Sequence, residues 1–346
     1  MSNALSAADL VPGEPALDEP PRASSWLRYA ALKAGGAVIS LVMVVLLGFF
    51  AFRILPGDPV RSLAEGRRVS AEQMELLREQ LGFNDPLLTQ FLRYLADLAQ
   101  GRLGYSYTYS EPVLNLILDR LGPTLLLTGT AALISVVLGL WLGQRAAWHR
   151  GSLFDKTQTG LALVFWSVPT FWLGLILLLV FGGGLHWFPT GGLVTAGTTA
   201  TGLPLLWDVA RHMVLPVVTM VAVVYAQYLM VMRASLLEEM TSDYLQTARA
   251  KGLREDLVRR RHAVPNALLP TVTLIFLTLG GLVGGAVTVE TVFSWPGLGL
   301  LTFQALSAPD FPLLQGTFVV FSSIVIVMNF LADLLYRFLD PRLRAA

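Results

Sequence analysis

Six long, predominantly apolar runs divide this chain, and shorter polar segments separate them. They lie near residues 34–54, 121–144, 160–182, 212–232, 266–289 and 312–333. Each run is close to the roughly 20 apolar residues that a helix needs to cross a hydrocarbon core of about 30 Å. The runs are continuous rather than alternating, which favours helices over the strands of a membrane barrel. The pattern therefore predicts an all-α polytopic membrane protein with six transmembrane helices.

Composition supports this class and excludes several others. Hydrophobic residues make up 54% of the chain and charged residues 14%, whereas globular proteins average about 45–50% apolar and about 25% charged residues. The net charge of +1 argues against nucleic acid as a partner. Cysteine is absent, which excludes disulfides, thiolate metal sites and cysteine nucleophiles.

Basic residues near the ends of the runs predict their orientation. Lys and Arg occur before the first run, between the second and third, between the fourth and fifth, and after the sixth, but not between the fifth and sixth. Short cytoplasmic loops are enriched in Lys and Arg, so both termini are expected in the cytoplasm. The basic segment 55–119 is then external, and its length of about 65 residues exceeds the range over which this rule holds.

The same pattern predicts a domain organisation. Residues 1–24 are expected to form a disordered cytoplasmic tail, 25–54 the first transmembrane helix and 55–119 an extracytoplasmic cap loop. Within the cap, apolar residues recur at helical spacing over Ala71–Leu81 and Leu87–Leu98. Residues 120–338 would form a core of five transmembrane helices with a cytoplasmic loop at 236–265, and 339–346 a cytoplasmic tail.

A strongly basic segment, Asp243–Pro270, lies between the fourth and fifth runs. Three consecutive residues from Thr241 offer helix N-caps, and Gly252 offers a C-terminal stop. Ala248 and Ala250 keep the intervening turns small. The segment therefore predicts a short cytoplasmic helix that another surface can approach closely.

Four glycines in the fifth run form two overlapping GxxxG pairs, at Gly280, Gly281, Gly284 and Gly285. Such pairs leave a flat helical face against which another backbone can pack. A static packing contact and a sliding or rocking contact both fit this pattern.

No catalytic constellation is present. The chain has no GxxxxGK[ST] phosphate loop, no HExxH and no GxSxG. His149, His186, His212 and His262 are widely separated at predicted loop or span edges, where interfacial or solvated side chains are expected rather than a metal site. No catalytic residue, metal or cofactor is therefore predicted within this chain.

A few polar residues lie within the apolar runs. Gln227, Glu290 and Asn329 are candidates for the lining of a translocation path, because polar groups are costly in lipid. Glu290 and Asp333 both lie near the membrane interface, and Glu290 precedes a Trp-Pro-Gly turn. The pattern therefore favours a structural role for Glu290 over contact with a substrate.

Several segments match one protein family in the right order. They are LPGDP (55–59), LGFNDPLLTQFLRYL (81–95), SVPTFWLGL (167–175), DYLQTARAKGL (243–253), VETVFSWPGLG (289–299) and DLLYRFLDPRLR (333–344). The chain thus resembles the inner-membrane permease subunits of binding-protein-dependent ABC importers, in the dipeptide, oligopeptide and nickel branch. The basic segment resembles the EAA loop of this family, with Gln246, Thr247 and Ala248 at its first three positions and Gly252 at its glycine. Glu is absent at the first position, so a charge contact from there cannot be transferred.

The resemblance implies a type I ABC importer permease fold in a bacterial inner membrane. The implied partners are a second permease subunit, two cytoplasmic ATPase domains that bind ATP and Mg²⁺, an extracytoplasmic substrate-binding protein and membrane lipid, but not nucleic acid. The residues implied to dock on the ATPase are Tyr244, Gln246, Thr247, Ala248, Arg249, Lys251, Gly252 and Leu253.

Peptides are the implied cargo, and nickel chelates, haem, glutathione and sugars are alternatives within the same family. A secondary transporter or channel is a different class, but it would show a buried charge chain or an inverted repeat. A membrane enzyme would need the reactive groups that the sequence lacks.

Overall fold

The structure is a computed structural model that describes residues 23–54 and 84–339, together with Glu72 and Glu75. These residues are helical apart from turns, loops and one isolated bridge between Tyr105 and Pro112. The helices are α1 (Ala23–Ile54), α2 (Leu87–Ala99), α3 (Val113–Trp148), α4 (Leu153–Ser167), α5 (Thr170–Gly184), α6 (Leu203–Glu239), α7 (Asp243–Ala250), α8 (Val264–Val292), α9 (Leu298–Ser307) and α10 (Phe311–Leu339).

Parts of the predicted organisation lie outside the described residues. They are the N-terminal tail up to residue 22, the C-terminal residues 340–346, and the predicted helix at Ala71–Leu81 apart from Glu72 and Glu75. The predicted cap helix at Leu87–Leu98 is confirmed as α2.

Among the described residues, four helices are long and apolar enough to cross a membrane, and they coincide with the first, second, fourth and sixth runs. The fifth run falls within α8, which has 29 residues. At 1.5 Å per residue, the 36 residues of α3 extend about 54 Å, well beyond a hydrocarbon core of about 30 Å. Because α3 begins at Val113, the boundary predicted between residues 119 and 120 falls inside a helix.

The third run is not a single straight helix. α4 and α5 meet at an angle of 100°, with Val168 and Pro169 in extended conformations between them. Proline disfavours helical geometry in the residue before it and has no N–H to continue the ladder. The pair is one broken span or a re-entrant loop, so the count of six transmembrane helices stays a prediction.

The most extensive helix contact joins α3 and α6. A Cβ on Gly139 would lie 2.5 Å from the Cβ of Tyr228, and one on Gly143 would lie 2.7 Å from the carbonyl oxygen of Leu229. The two glycines are four residues apart and so share one face of α3. They form a GxxxG pair that brings the two backbones together.

A buried ion pair fixes α4 on α6. The guanidinium of Arg233 donates to both carboxylate oxygens of Asp155, at 2.6 and 2.9 Å. The amide of Gly151 donates to the same carboxylate at 2.9 Å, and Ser152 caps the helix by accepting from the Asp155 amide. A charge that is only 3% exposed is tolerable in this place because its partners satisfy it.

A second buried carboxylate ties the loop before α3 to the start of α10. Asp310 accepts hydrogen bonds from the Ser106 hydroxyl at 2.6 Å and from the Thr108 amide at 3.0 Å. It also accepts from the Leu313 amide in the first turn of α10. One side chain therefore caps a helix and orders a loop about 200 residues away in the sequence.

Candidate functional site

The predicted docking residues belong to the short helix α7 and the turn that follows it. Ser242 is the N-cap residue, but its hydroxyl donates back to the Glu239 carbonyl oxygen at 2.6 Å and caps no amide of α7. Thr241 likewise donates to the Glu238 carbonyl oxygen. The expectation of side-chain N-capping at these two residues was wrong, because the end of α6 is close enough to accept both hydroxyls.

α7 ends at Ala250 with Lys251 as its C-cap, and Gly252 follows as the predicted stop. This glycine has a φ of +78°, a backbone conformation that favours Gly over residues with a Cβ. Its amide donates to the Arg249 carbonyl oxygen at 2.9 Å, and the Leu253 amide donates to the Ala248 carbonyl oxygen at 3.4 Å. These two bonds form a Schellman motif, which reverses the chain direction after α7.

The inner face of α7 is buried in the chain's own core. Leu245 is fully buried and Ala248 nearly so, in a cluster with Met232 and Leu236 of α6 and with Val258. Ala248 was expected to face a partner, but its side chain packs inward instead. Its small size permits the close approach of α7 to this chain rather than to another one.

Tyr244 anchors α7 to the helices on either side of it. Its hydroxyl donates to the carboxylate of Glu239, at the end of α6, and accepts from the side-chain amide of Asn266 in α8 at 2.9 Å. Burial, followed by the hydrogen bond to the Glu239 carboxylate, raises the pKa of Tyr244 above its ordinary value. The phenol therefore stays neutral and keeps its role as a donor at physiological pH.

The opposite face of α7 is open to solvent. We define this outer face as Gln246, Thr247, Ala250, Lys251 and Leu253, all of which are exposed. Gly252 is also exposed, and a Cβ there would meet no atom within 4 Å. Arg249 is partly buried and forms an ion pair with Glu255 at 3.0 Å. α7 is thus held from one side by α6 and α8 and presents mainly uncharged residues on the other.

Glu290, a candidate for the lining of a path, binds the start of a neighbouring helix in this structure. It is fully buried, and its carboxylate accepts from the Thr124 hydroxyl at 2.7 Å and from the amides of Gly299 and Leu300 at 2.7 and 3.1 Å. Thr124 in turn accepts from the Leu298 amide at 2.8 Å. Glu290 therefore satisfies the first amides of α9, and a negative charge at a helix N-terminus is favourable.

The other predicted residues are not brought together into one site. Gln227 is half-buried on α6 and Asn329 is exposed on α10, and these two helices do not pack closely against each other. Gly281 is exposed, and a Cβ there would meet nothing within 4 Å. Gly280, Gly284 and Gly285 lie outside the positions whose surroundings the structure describes.

Sequence reasoning missed three features that hold the helices and loops of the fold together. The GxxxG pair at Gly139 and Gly143 carries the same spacing signal as the glycines of the fifth run, so it could have been found. Asp310 directly precedes α10, which is a typical N-cap position. The pairing of Asp155 with Arg233 has no local signal, because 78 residues separate the two.

Comparisons with known proteins agree with this architecture. Residues 135–345 match the family model described as binding-protein-dependent transport system inner membrane component. Residues 26–128 match the model for the N-terminal part of the membrane component of the same systems. The two matches together span most of the chain.

Individual relatives are similar over almost their full length. The di/tripeptide transport system permease protein DppB of Pseudomonas aeruginosa is 37% identical over 332 residues, covering 92% of this chain and 99% of that protein. The glutathione transport system permease protein GsiC of Pectobacterium atrosepticum is 37% identical over 318 residues, with coverage of 92% and 99%.

Among solved structures, a chain of the inward-facing MetNI methionine ABC transporter matches with a TM-score of 0.51 at 20% identity. The match covers 67% of this chain and 99% of that one. At this identity the likeness concerns the fold alone.

Proposed function

This chain belongs to the family of inner membrane components of binding-protein-dependent transport systems, and on that premise we propose that it forms half of the translocation pathway of an ATP-driven importer of di- and oligopeptides. Energy would come from partner ATPase subunits that bind ATP and Mg²⁺, because this chain has no phosphate-binding loop. The chain itself would carry no catalytic residue.

The observation that carries this proposal is the two-sided construction of α7. Its inner face is buried with residues of α6, and Tyr244 bonds to both α6 and α8. Its outer face is exposed and free of bulky charged pairs. A helix that is fixed within its own chain and open outward is suited to transmit a displacement from a docked partner.

The proposed assembly has α7 and both termini on the cytoplasmic side of the inner membrane. Two ATPase domains would dock there, one of them on the outer face of α7. A second permease subunit would complete the pathway within the membrane, and a substrate-binding protein would deliver cargo on the opposite side. The excess of Lys and Arg in the loops assigned to the cytoplasm supports this orientation.

In the proposed cycle, ATP draws the two ATPase domains together and α7 moves with them. Because Leu245 and Tyr244 couple α7 to α6 and α8, both long helices would tilt and open the cavity outward. Hydrolysis would reverse the motion. The complex would thus switch by rigid-body motion between two states, and the affinities for ATP and for cargo would differ between these states.

Peptides are the proposed cargo because relatives of similar length are di/tripeptide and dipeptide permeases. Glutathione is the second candidate, since another relative, also 37% identical in sequence, is a glutathione transport system permease protein. Glutathione is itself a tripeptide, so both candidates share amide groups and charged termini.

Reconstitution tests the function and the cargo together. The chain would be co-expressed with the permease, ATPase and binding-protein partners, purified and inserted into liposomes loaded with ATP. Uptake of a labelled dipeptide that requires ATP and the binding protein is expected. Competition by excess unlabelled dipeptide, tripeptide or glutathione then ranks the cargo. Uptake that persists when the catalytic Glu of the ATPase is neutralised would overturn the importer assignment.

A further inference from the structure

A basic cavity lies where the end of α3 meets the helical segment that leads into α8. Its volume is about 470 Å³. It is lined by side chains that include Trp141, Gln144, Arg145, His149, Arg259 and Arg260. None of these residues has a place in the docking and coupling described above.

The three arginines at the cavity differ from their neighbours in how they are paired. Arg249 and Arg254, earlier in the same basic segment, form ion pairs with Glu255 and Asp256. Within the described residues, Arg145, Arg259 and Arg260 form no ion pair with a carboxylate, and no carboxylate lines the cavity. The cavity therefore concentrates positive charge that the chain does not neutralise there.

Aromatic contacts hold two of these arginines in position. The Arg145 guanidinium lies over the ring of Trp141 at 5.4 Å, and the Arg259 guanidinium lies over the ring of Trp148 at 5.6 Å. Stacking leaves the edges of a guanidinium available to donate hydrogen bonds. The planar fork of donors suits the oxygens of a phosphate group.

We propose that this cavity binds the phosphate headgroup of an anionic phospholipid from the cytoplasmic leaflet. Trp141 is 53% exposed and lies at the end of a predicted transmembrane run, where Trp marks the membrane interface. The cavity thus has the exposed ring of Trp141 next to its charged groups, an arrangement that suits a headgroup that remains attached to acyl chains. Basic pockets between transmembrane helices on the cytoplasmic side are suited to such headgroups.

The position of the cavity gives the lipid a role in coupling. Arg259 and Arg260 belong to the π-helical stretch Val258–Ala263, and Val258 and Ala263 pack in the same cluster as Leu245 of α7. A bound headgroup would brace this stretch against α3 and stiffen the support of α7. This inference rests on the proposed orientation, which places the cavity in the inner leaflet.

The test measures lipid binding to the intact purified transporter complex. Native mass spectrometry would follow titration with dioleoyl phosphatidylglycerol, with dioleoyl phosphatidylcholine as the neutral comparison. The variant Arg259→Gln with Arg260→Gln is expected to weaken phosphatidylglycerol binding at least about tenfold, because hydrogen bonds to charged groups are the strong ones. The control variant, Arg150→Gln with Lys156→Gln, removes two exposed charges outside the cavity. It is expected to weaken phosphatidylglycerol binding less than about threefold.

Other outcomes overturn the proposal. Equal binding of the two lipids, or equal losses in the two double variants, would show general attraction to the surface. Full competition by soluble glycerol phosphate would assign the cavity to a free phosphate compound. Loss of the ATPase subunits from the Arg259 and Arg260 variant, with lipid binding unchanged, would make the cavity a protein contact.

Two further measurements keep the result interpretable. The single variant Arg260→Gln changes an exposed residue and provides a folded protein if the double variant fails to assemble. Dipeptide uptake by the same preparations separates the two proposals. Normal uptake without selective phosphatidylglycerol binding would overturn only the lipid site, whereas selective binding without any uptake would overturn only the peptide cargo.

Discussion

The carboxylate of Glu290, in the last turn of α8, accepts a 2.7 Å hydrogen bond from the backbone amide of Gly299, in the first turn of α9. The contact leaves no room for a side chain at Gly299. A Cβ on Gly299 would lie 2.5 Å from the Cα of Val287 and 3.0 Å from a Glu290 carboxylate oxygen. The acid and the glycine are therefore parts of one packing unit that sets the angle between the two helices.

Gly299→Ala is expected to destabilise the protein by about 1–3 kcal/mol, because the added methyl overpacks a backbone contact. The matched control is Gly281→Ala, since a Cβ at Gly281 meets no atom within 4 Å. Thermal unfolding of the purified protein in detergent would compare them, and the Gly299 variant should have the lower Tm. Glu290→Gln should also destabilise the protein by about 1–3 kcal/mol, because the side-chain amide of Gln cannot accept from all of the donors that now bind the Glu290 carboxylate. Equal Tm values for the two glycine variants would contradict the packing unit.

The two faces of α7 should respond differently to bulk. Thr247→Trp changes the exposed outer face and is expected to reduce the amount of ATPase that co-purifies, with an unchanged Tm. Ala248→Trp introduces a large side chain into the cluster around Leu245 and should lower stability by about 1–3 kcal/mol or more. Pull-down of the ATPase and thermal unfolding, measured on both variants, would distinguish them. A Thr247 variant that binds the ATPase normally would exclude this part of the outer face as the docking surface.

Gly252→Ala tests the turn that ends α7. A residue with a Cβ at φ +78° is strained by roughly 1–2 kcal/mol, so the turn and the outer face should shift. ATP hydrolysis is expected to continue while ATP-driven uptake falls. Gly101→Ala is the control, because Gly101 has a φ of +74°, no atom within 4 Å of a Cβ and the same pair of Schellman hydrogen bonds at the end of α2, yet lies far from α7 in the chain. Similar loss of uptake in both variants would point to general strain instead of coupling.

Gly143→Ala should weaken the contact between α3 and α6. The new Cβ would lie 2.7 Å from the Leu229 carbonyl oxygen, and backbone atoms cannot rotate away, so a loss of about 1–3 kcal/mol is expected. Gly129→Ala on the same helix has no atom within 4 Å of its Cβ and should be neutral or slightly stabilising, since Ala favours helix over Gly. Chemical denaturation in mixed micelles would measure both. A neutral Gly143 variant would show that the two helices are not held at this distance.

Alkaline pH should destabilise the loop that contains Tyr107. Burial, with the nearby Asp310 carboxylate adding to it, raises the pKa of Tyr107 to about 12. The unfolded chain would lose this proton near the ordinary value of 10.0, so the stability contribution is complete below pH 10 and is lost as the pH rises towards 12. Between pH 9 and 11.5, the Tm of Tyr107→Phe should therefore fall less steeply with pH than the Tm of the native chain. Tyr105→Phe is the control, because that phenol is exposed, and equal slopes in both variants would contradict the assignment.

Particular residues show which parts of the fold the local sequence pattern predicted and which it did not. The apolar runs located the long helices, and Gly252 located the end of α7, because hydrophobic length and a left-handed turn are properties of a few consecutive residues. Pro169 breaks the third run, and this signal was present in the sequence but outweighed by hydropathy. Ser242 is the N-cap residue of α7, but its hydroxyl donates to the Glu239 carbonyl oxygen instead of accepting from an amide of α7, and only the arrangement of α6 and α7 could reveal this.

The sequence by itself determined the class of protein, the positions of its long helices and the short helix α7 with the glycine that follows it. The tertiary structure decided which face of α7 is exposed, buried Ala248 within the chain, and placed the Glu290 carboxylate at the first amides of α9. The physical reason is how far apart in the sequence the interacting groups lie. Helix formation and membrane insertion depend on neighbouring residues, whereas burial and hydrogen bonding join groups such as Thr124 and Glu290 that lie 166 residues apart.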